Sequence, residues 1–297
     1  TSNDAVTFGA VTLGSATTID TNASNTTGDI AIGAVTGGSN NLTLTTGDNV
    51  ANSDITASGA ISGLGNLTLA DVGGTATFSA NVAAAALSAD STVANIAFTG
   101  GTNSFSGAAS FSNDGTLNLG NASGDTFAFN GGVTESTTGT VTLASAISSS
   151  DDAISFGAVT LGANTTIDTN ATTTSTADLT IGAVTGGSNT LTLSTENNIA
   201  NADITASGAI SGVTTLTISN AGGTATLSGD VDVTTLTIGN TVANVAINGD
   251  GSTVTNDIDF ANDGTLQLGD ATGDTLTFNG GLDTSDVGGT VTLNGTI

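Results

Sequence analysis

Apolar and polar residues alternate along most of the chain. In Ala10–Leu13, Asn41–Leu44, Asn66–Leu69 and Gly115–Leu119, apolar side chains occupy every second position and Thr or Asn stands between them. Period two places the apolar side chains on one face of an extended strand. Gly-Gly and Asn-Asp-Gly groups separate these segments and supply the positive φ angles of tight turns. The pattern therefore predicts an all-β protein of short strands and glycine-rich turns.

A long internal repeat divides the chain into two similar halves. The offset between matching segments is first 148, then 149 and finally 150 residues, as in Phe8–Gly14 with Phe156–Gly162, Ile32–Asn40 with Ile181–Asn189, and Gly139–Leu143 with Gly289–Leu293. Only single-residue slips separate the copies, so the chain is a tandem array. We expect two repeat units, 1–148 and 149–297.

Within each unit the apolar strand centres recur at a regular spacing. They lie 19 to 23 residues apart through the first unit and into the second, near Leu13, Ile32, Ile55, Phe78, Phe98, Leu119, Val141 and Leu161. This spacing is typical of one coil of a solenoid in which each coil buries its inward side chains against its neighbours. We predict a parallel β-solenoid, or β-helix, of roughly 20-residue coils. The alternative is a string of immunoglobulin-like β-sandwiches, which usually contain a buried Trp or Tyr, and this chain has neither.

Comparison of the copies separates core positions from others. Large apolar residues change size but stay apolar, as in Phe78 and Leu227, Phe98 and Ile247, Phe105 and Val254, and Phe127 and Leu276. A core tolerates such exchanges when neighbouring layers repack. The Ala-rich segment Asn81–Ala89 has helix-forming composition, but its copy Asp230–Ile238 has strand character. We predict a strand there in both copies.

The composition restricts the chemistry of the protein. The chain has no Lys, Arg, His, Cys, Met, Pro, Trp or Tyr, and its 26 acidic residues give a net charge of −26. Without cations it has no electrostatic attraction for nucleic acid or anionic membranes, and no apolar run approaches the length of a membrane span. Transition-metal sites lack their usual ligands, and the hydroxyl groups lack a neighbouring base. We expect no enzyme; a carboxylate-pair polysaccharide hydrolase is the one catalytic alternative.

Calcium is the cofactor that this composition permits, because Ca²⁺ takes carboxylate and carbonyl oxygen ligands. Asp residues that recur in both copies favour turn formation first and calcium binding second. The candidate ligands are Asp114 and Asp125 in the first unit and Asp263, Asp270 and Asp274 in the second. The large negative charge also predicts diffuse association with divalent cations.

Three phrases carry a resemblance to known proteins: Gly115–Phe127, Gly33–Asn40 and Ala163–Thr169. They resemble bacterial β-strand-repeat surface proteins, which include autotransporter-associated repeats and filamentous-haemagglutinin-like adhesins. The resemblance implies a parallel β-helix at the cell surface that serves as a stalk, adhesin or filament, without a common active site. The absence of Lys and Arg, which removes trypsin-type cleavage sites, agrees with an exposed extracellular material.

The phase of the repeat suggests how the protein is used. Ile297 corresponds to Ile147, so a third copy would follow Ile297 with little change of phase. We expect either an extracellular subunit that associates with itself head to tail, or a segment of a giant adhesin in which the repeat continues covalently. The same stacking of β coils would serve both.

Overall fold

The computed structural model describes residues 3–25, 27–47, 50–173, 177–196 and 199–297, which form β-strands, turns and loops. None of these residues belongs to a helix with the length and apolarity that a membrane crossing requires. The chain divides into two compact units, Thr1–Ala146 and Ile147–Ile297. The sequence predicts the division two residues later.

Unit 1 consists of short strands in the order β1 (Val6–Phe8), β2 (Val11–Thr12), β3 (Thr17–Asp20), β4 (Ile30–Ile32), β5 (Val35–Thr36), β6 (Leu42–Thr45), β7 (Ile55–Ala57), β8 (Ile61–Leu69), β9 (Val72–Phe78), β10 (Val82–Ala89), β11 (Val93–Phe98), β12 (Thr102–Phe105), β13 (Ala109–Phe111), β14 (Leu117–Leu119), β15 (Thr126–Phe129), β16 (Val133–Glu135) and β17 (Val141–Leu143). Strand β18 (Ala146–Ser148) follows at the unit boundary.

Unit 2 repeats this order with longer, bent strands in its middle coils. Its strands are β19 (Ile154–Phe156), β20 (Val159–Leu161), β21 (Thr165–Asp168), β22 (Leu179–Ile181), β23 (Val184–Thr185), β24 (Thr190–Ser194), β25 (Ile204–Ala206), β26 (Ile210–Leu227), β27 (Val231–Ile247), β28 (Thr253–Val254), β29 (Ile258–Asp259), β30 (Leu266–Leu268), β31 (Thr277–Phe278), β32 (Leu282–Asp283) and β33 (Val291–Leu293).

Each coil of a unit passes through three strand positions, which form three parallel sheets that we call faces A, B and C. In unit 1, β1, β4 and β7 lie on face A, β2 and β5 on face B, and β3 and β6 on face C. Strands β8 and β10 bend from face B into face C. Hydrogen bonds run between successive coils, so every coil depends on its neighbours.

The pairing register gives the coil length. Val6 pairs with Ile30, Ile30 with Ile55, and Ile55 with Ala76, which makes successive offsets of 24, 25 and 21 residues. Offsets of 20 also occur, as between Ala76 and Ile96 and between Leu64 and Ala84. With about 13 turns in all, the predicted parallel β-solenoid is confirmed, and the sandwich alternative is wrong. The coils are longer than predicted where corner loops are inserted.

The core of unit 1 contains most of the phenylalanines. Phe98 on face A meets the edges of Phe105 and Phe111, from faces B and C of the same coil, at centroid distances of 6.3 and 6.4 Å. Phe78 stacks on Phe98 from the coil before at 4.7 Å. All are fully buried, and Leu227 and Ile247 are buried at the matching positions of unit 2. The predicted core positions are therefore confirmed.

Inward and outward positions alternate in the strands as the sequence predicts. Strand β9 alternates buried and half-buried residues along its whole length. The Ala-rich segment forms strand β10, so the prediction of strand over helix is confirmed. Cross-coil pairing decides its structure, because each coil must present a backbone edge to the coils on both sides.

Buried threonines close the loops that leave one corner of the solenoid. Thr21 Oγ1 donates to the Gly28 carbonyl at 2.5 Å, and Thr46 Oγ1 donates to the Ser53 carbonyl at 3.1 Å. In unit 2, Thr169 closes on Ala177 at 2.7 Å and Thr195 on Ala202 at 3.0 Å. The loop that Thr169 closes is one residue longer than its copy. The slip from 148 to 149 in the repeat offset lies in this loop.

Candidate functional site

Acidic side chains at the coil corners hold neighbouring coils together. Asp29 Oδ1 accepts the backbone N–H of Asp54 at 3.0 Å, and Asp54 Oδ1 accepts that of Thr75 at 2.7 Å. In unit 2, Asp203 repeats the role of Asp54 by accepting the backbone N–H of Thr224 at 2.7 Å. Each carboxylate lies just before a strand and satisfies a donor of the next coil. These recurrent acids therefore bond to the backbone of the neighbouring coil, a contact between coils that the expected turn formation does not include.

Two buried carboxylates organise the loops before β15 and after β30. Asp125 Oδ2 accepts the backbone N–H groups of Asn121 and Ala122 at 2.8 and 3.2 Å. Asp274 Oδ2 does the same with Asp270 and Ala271, at 2.7 and 2.8 Å. The N–H groups of Ala271 and Asp270 lower the pKa of Asp274 below its ordinary value. One oxygen of each carboxylate is thus occupied by two backbone donors.

Among the candidate calcium ligands, Asp270 and Asp274 lie together, with a hydrogen bond between their side chains, whereas the others are separated from them and from each other. Asp114 lies in the turn before β14 and Asp125 in the loop after it, and Asp114 Oδ1 accepts the Thr138 hydroxyl at 2.7 Å. In unit 2, Asp263 precedes β30, whereas Asp270 and Asp274 follow it. Within the described ranges, no three acidic side chains are grouped to hold a metal ion. Calcium binding at these residues stays a prediction of the sequence.

Asn3 and Asp151 occupy equivalent positions and hold equivalent loops. Asn3 Oδ1 accepts the backbone N–H of Ser24 at 2.6 Å. Asp151 Oδ1 accepts the backbone N–H groups of Thr172 and Thr173, the latter at 2.8 Å, and its Oδ2 accepts both hydroxyls. These hydrogen bonds, led by the one from the Thr172 backbone, lower the pKa of Asp151 to about 2. Unit 2 therefore uses a charged acceptor where unit 1 uses a neutral one.

Two carboxyl groups of unit 2 contact each other. Glu196 lies one coil beyond Asp168, and desolvation, the Asp168 charge and a hydrogen bond to Asp168 raise the pKa of Glu196. Its copy in unit 1 is Gly47, so the pair occurs in one unit only. A hydrolase of the carboxylate-pair type holds its two acids at least about 5 Å apart, with a sugar between them. This contact is too close for that arrangement.

A groove that sequence analysis did not identify recurs in both units. It lies at the corner between faces B and C and measures about 370 Å³ in unit 1 and about 470 Å³ in unit 2. We call these groove 1 and groove 2. Their linings match residue by residue at the 149 offset: Ser39, Gly63, Leu64, Ala84, Ser104 and Ser106 in groove 1, and Ser188, Gly212, Val213, Val233, Thr253 and Thr255 in groove 2.

Apolar side chains are exposed on the first and last coils. Phe8 is 43% exposed, although its partner Ile32 in the next coil is buried. Leu293 is 58% exposed and continues the column of the buried Leu268, and Ile297 is 43% exposed. Their pairing register places these three residues at inward positions, and the sequence pattern did not single them out.

The fold and these features define a repetitive parallel β-solenoid protein in which acidic side chains accept backbone hydrogen bonds at the corners of the coils. No family model, curated protein or solved structure matches the chain. The resemblance to bacterial β-strand-repeat surface proteins therefore stays a prediction from the sequence.

Proposed function

We propose that the chain is a subunit or segment of an extracellular structural filament, sheath or fibre, built by end-to-end stacking of β coils. The observation that carries this proposal is the parallel pairing of successive coils, in which a coil buries its inward side chains on both neighbours, as Ile30 does between Val6 and Ile55. A coil of another copy placed on Phe8 or Leu293, which are 43% and 58% exposed at inward positions, would bury them and pair with the backbone there. The proposed partner is a second copy of the chain.

The duplication supports this partner. Val291–Leu293 is identical in sequence to Val141–Leu143, and within unit 1 Val141–Leu143 pairs in register with Leu117–Leu119. Parallel pairing between identical or similar coils needs no change of side-chain pattern at the junction. In a surface adhesin of the kind that the sequence resembles, the next coil would belong to the same polypeptide. The stacking chemistry is the same.

We propose no catalytic role for the acidic residues. Asp54, Asp125 and Asp274 each accept backbone hydrogen bonds, and removal of their charge would disturb a turn. A structural role also agrees with a surface that carries no trypsin site and few oxidisable side chains. The extracellular location belongs to this proposal.

The test is the assembly state of purified chain 1–297. We expect light scattering and electron microscopy to show rods that lengthen with protein concentration. Phe8→Asp and Leu293→Asp should each block assembly, because either places a charge in the interface. Thr12→Asp, at an exposed position of the same first coil, is the matched control and should assemble normally.

A chain that stays monomeric at all concentrations, or that assembles equally well with both interface variants, contradicts end-to-end stacking. The mass of the denatured native polypeptide then distinguishes the two forms of the proposal. A polypeptide far heavier than 28.2 kDa would show that the repeat continues covalently.

A further inference from the structure

Grooves 1 and 2 are built by an irregularity that both copies keep. Two residues, Ser62 and Gly63, stand opposite the single residue Ala83, and the register of β8 against β10 shifts there. The same shift in unit 2 lies between Ser211 and Val213, with Gly212 in the extra position. Bulges of this kind re-aim side chains and are kept where a surface has a use.

The rim residue at each groove has an unfavourable backbone conformation. Ser39 has a φ of 65° and Ser188 a φ of 69°, in the left-handed region that favours Gly or Asn. Each serine follows a glycine of positive φ, so the same tight turn is kept at the rim of both grooves.

The lining combines an apolar floor with hydroxyl groups. Leu64 and Ala84 form the buried floor of groove 1, and Val213 and Val233 replace them in groove 2. Within the described residues, the Ser104 and Ser106 hydroxyls donate no side-chain hydrogen bond, although both line the groove. A floor of aliphatic carbon beside groups that both donate and accept hydrogen bonds suits a ligand with C–H and O–H surfaces.

Charge and backbone pairing narrow the class of ligand. The chain has a net charge of −26 and no cation, so an anionic ligand would be repelled. Added peptide strands need free backbone groups, but Ala84 and Ala85 already accept hydrogen bonds from Ser106 and Gly107. In groove 2, the carbonyls of Val233 and Thr234 are engaged in the same way.

We propose that grooves 1 and 2 are two binding sites for an uncharged or amino-bearing oligosaccharide. The sugar rings would lie on the aliphatic floor, and the Ser and Thr hydroxyls would bind the ring hydroxyls. Groove 2 carries Asp232 where groove 1 carries Ala83, so groove 2 favours sugars that bear a free amino group. This inference is independent of end-to-end stacking, because each groove lies within one unit.

The test uses chain 1–297 at concentrations below assembly, with maltohexaose, cellohexaose and N-acetylchitohexaose as neutral probes. Calorimetry should give two binding equivalents for at least one probe. Ala85→Trp should fill groove 1 and Thr234→Trp groove 2, each removing one equivalent, and the double variant should remove both. Ser88→Trp, exposed on the same coil outside the groove, should keep two. Circular dichroism must show that all variants are folded.

The charge difference supplies a second, reciprocal test. With chitosan hexamer, which bears free amines, groove 2 should bind about two- to fivefold more tightly than groove 1, the range of an exposed ion pair. Asp232→Ala should abolish that preference, and Ala83→Asp should confer it on groove 1. Hexagalacturonate should bind neither groove.

Three results would overturn the proposal. These are the absence of saturable binding of every hexasaccharide up to about 10 mM, full binding by the double tryptophan variant, and tighter binding of hexagalacturonate than of the neutral probes. If the chain forms rods but binds no oligosaccharide, only the proposal of binding grooves is contradicted. If it binds oligosaccharide but forms no rods, only the proposal of end-to-end stacking is contradicted.

Discussion

At the scale of single residues, the two copies show which chemical function each position requires. Asn103 Oδ1 accepts the Val82 N–H and its Nδ2 donates to the Gly100 carbonyl. Ser252, its copy, makes both contacts with one hydroxyl, to Val231 and Gly249. The position therefore needs one buried acceptor and one donor. If a buried polar group in one copy lacks the hydrogen-bond partner that its equivalent has in the other, we expect that unit to be less stable.

Asn262 illustrates such a cost and gives the first prediction. In unit 1 the Thr137 hydroxyl donates to Asn113 Oδ1 at 3.0 Å, but the equivalent of Thr137 is Val287, and the buried Asn262 Oδ1 has no partner. We expect Val287→Thr to stabilise unit 2 by about 0.5–1.5 kcal/mol. Thr137→Val should destabilise unit 1 by about 1–3 kcal/mol, because it leaves a buried acceptor unpaired.

Urea unfolding followed by circular dichroism measures both variants. Thr138→Val, which removes a hydroxyl bonded to the exposed Asp114, controls for the loss of a surface contact and should cost less than Thr137→Val. Equal stability of Val287→Thr and the parent chain would mean that Asn262 is satisfied in another way.

The second prediction concerns Asp151 and acid. Because its pKa is lowered from 3.8 to about 2 on folding, its stabilising effect is complete above about pH 4 and is lost as the pH falls towards 2. Asp151→Asn should therefore lower the unfolding midpoint at pH 7 but match the parent chain near pH 2. Asn3→Asp should add the same acid sensitivity to unit 1. Unfolding midpoints at pH 7, 4 and 2 measure this, and parallel pH profiles for parent and variants would contradict it.

At the scale of the strand and turn, glycines of successive coils stack closely at one corner of the solenoid. A Cβ atom at Gly229 would overlap the backbone of Gly208 in the preceding coil, and one at Gly249 would overlap Gly229. A Cβ at Gly14 would have no neighbour within 4 Å. Glycines of the same turn-rich sequence thus have different roles, and only the packing shows which are indispensable.

The third prediction follows from this contrast. Gly229→Ala should destabilise the protein by about 1–3 kcal/mol, because the coils must separate to admit the methyl group. Gly14→Ala should be neutral or stabilising by up to about 1 kcal/mol, because it only reduces the freedom of the unfolded chain. Thermal unfolding of both variants is the measurement. If Gly14→Ala and Gly229→Ala lower the stability equally, backbone propensity and not packing between coils determines the effect of these substitutions.

The elements themselves were largely predictable from the sequence. Period two identified the strands, and the repeat resolved the ambiguous Ala-rich segment that forms β10. The three faces were not predictable, because a coil of 20 to 25 residues can bend at several glycines with the same pattern. Strands β8, β26 and β27 run through bends that the sequence marks only as Gly or Ser-Gly.

Sites were less predictable than strands, for a physical reason. Asp125 and Asp274 are residues of a type that binds cations. In the structure, however, each carboxylate accepts hydrogen bonds from backbone N–H groups, and the sequence pattern does not show where backbone N–H groups lie. The grooves depend on a bulge at Gly63 and Gly212, which differs from an ordinary turn only in three dimensions. The sequence shows that Ser39 and Ser188 are the same residue, but it does not show that both have a positive φ.

At the scale of the whole molecule, uncompensated charge is the dominant property. Every one of the 26 charged side chains is acidic, so the folded chain repels itself and its copies at low ionic strength. Salt shortens the range of this repulsion to about 10 Å at 0.1 M. Both the stability of the chain and its association should therefore rise with ionic strength.

The fourth prediction separates this general effect from a specific calcium site. At constant ionic strength, Ca²⁺ and Mg²⁺ should raise the melting temperature equally if the cations are held diffusely, as the scattered acids of the described residues suggest. An additional rise with Ca²⁺ that Asp270→Asn abolishes would instead establish the calcium site that the sequence predicts. Asp257→Asn, an acid outside the candidate set, is the matched control.

The threonine-closed corners have a consequence for how such a protein changes over generations. Thr169 closes a loop one residue longer than the loop that Thr21 closes, and the strands on both sides keep their pairing. The hydrogen bond from the threonine hydroxyl joins the two ends of the loop. Residues inserted between those ends therefore do not change the packing of the core. Foreign peptides grafted between Thr21 and Gly28 would be displayed at the surface without disturbing the stack. The same corner would let a lineage vary its outer face while its framework stays constant.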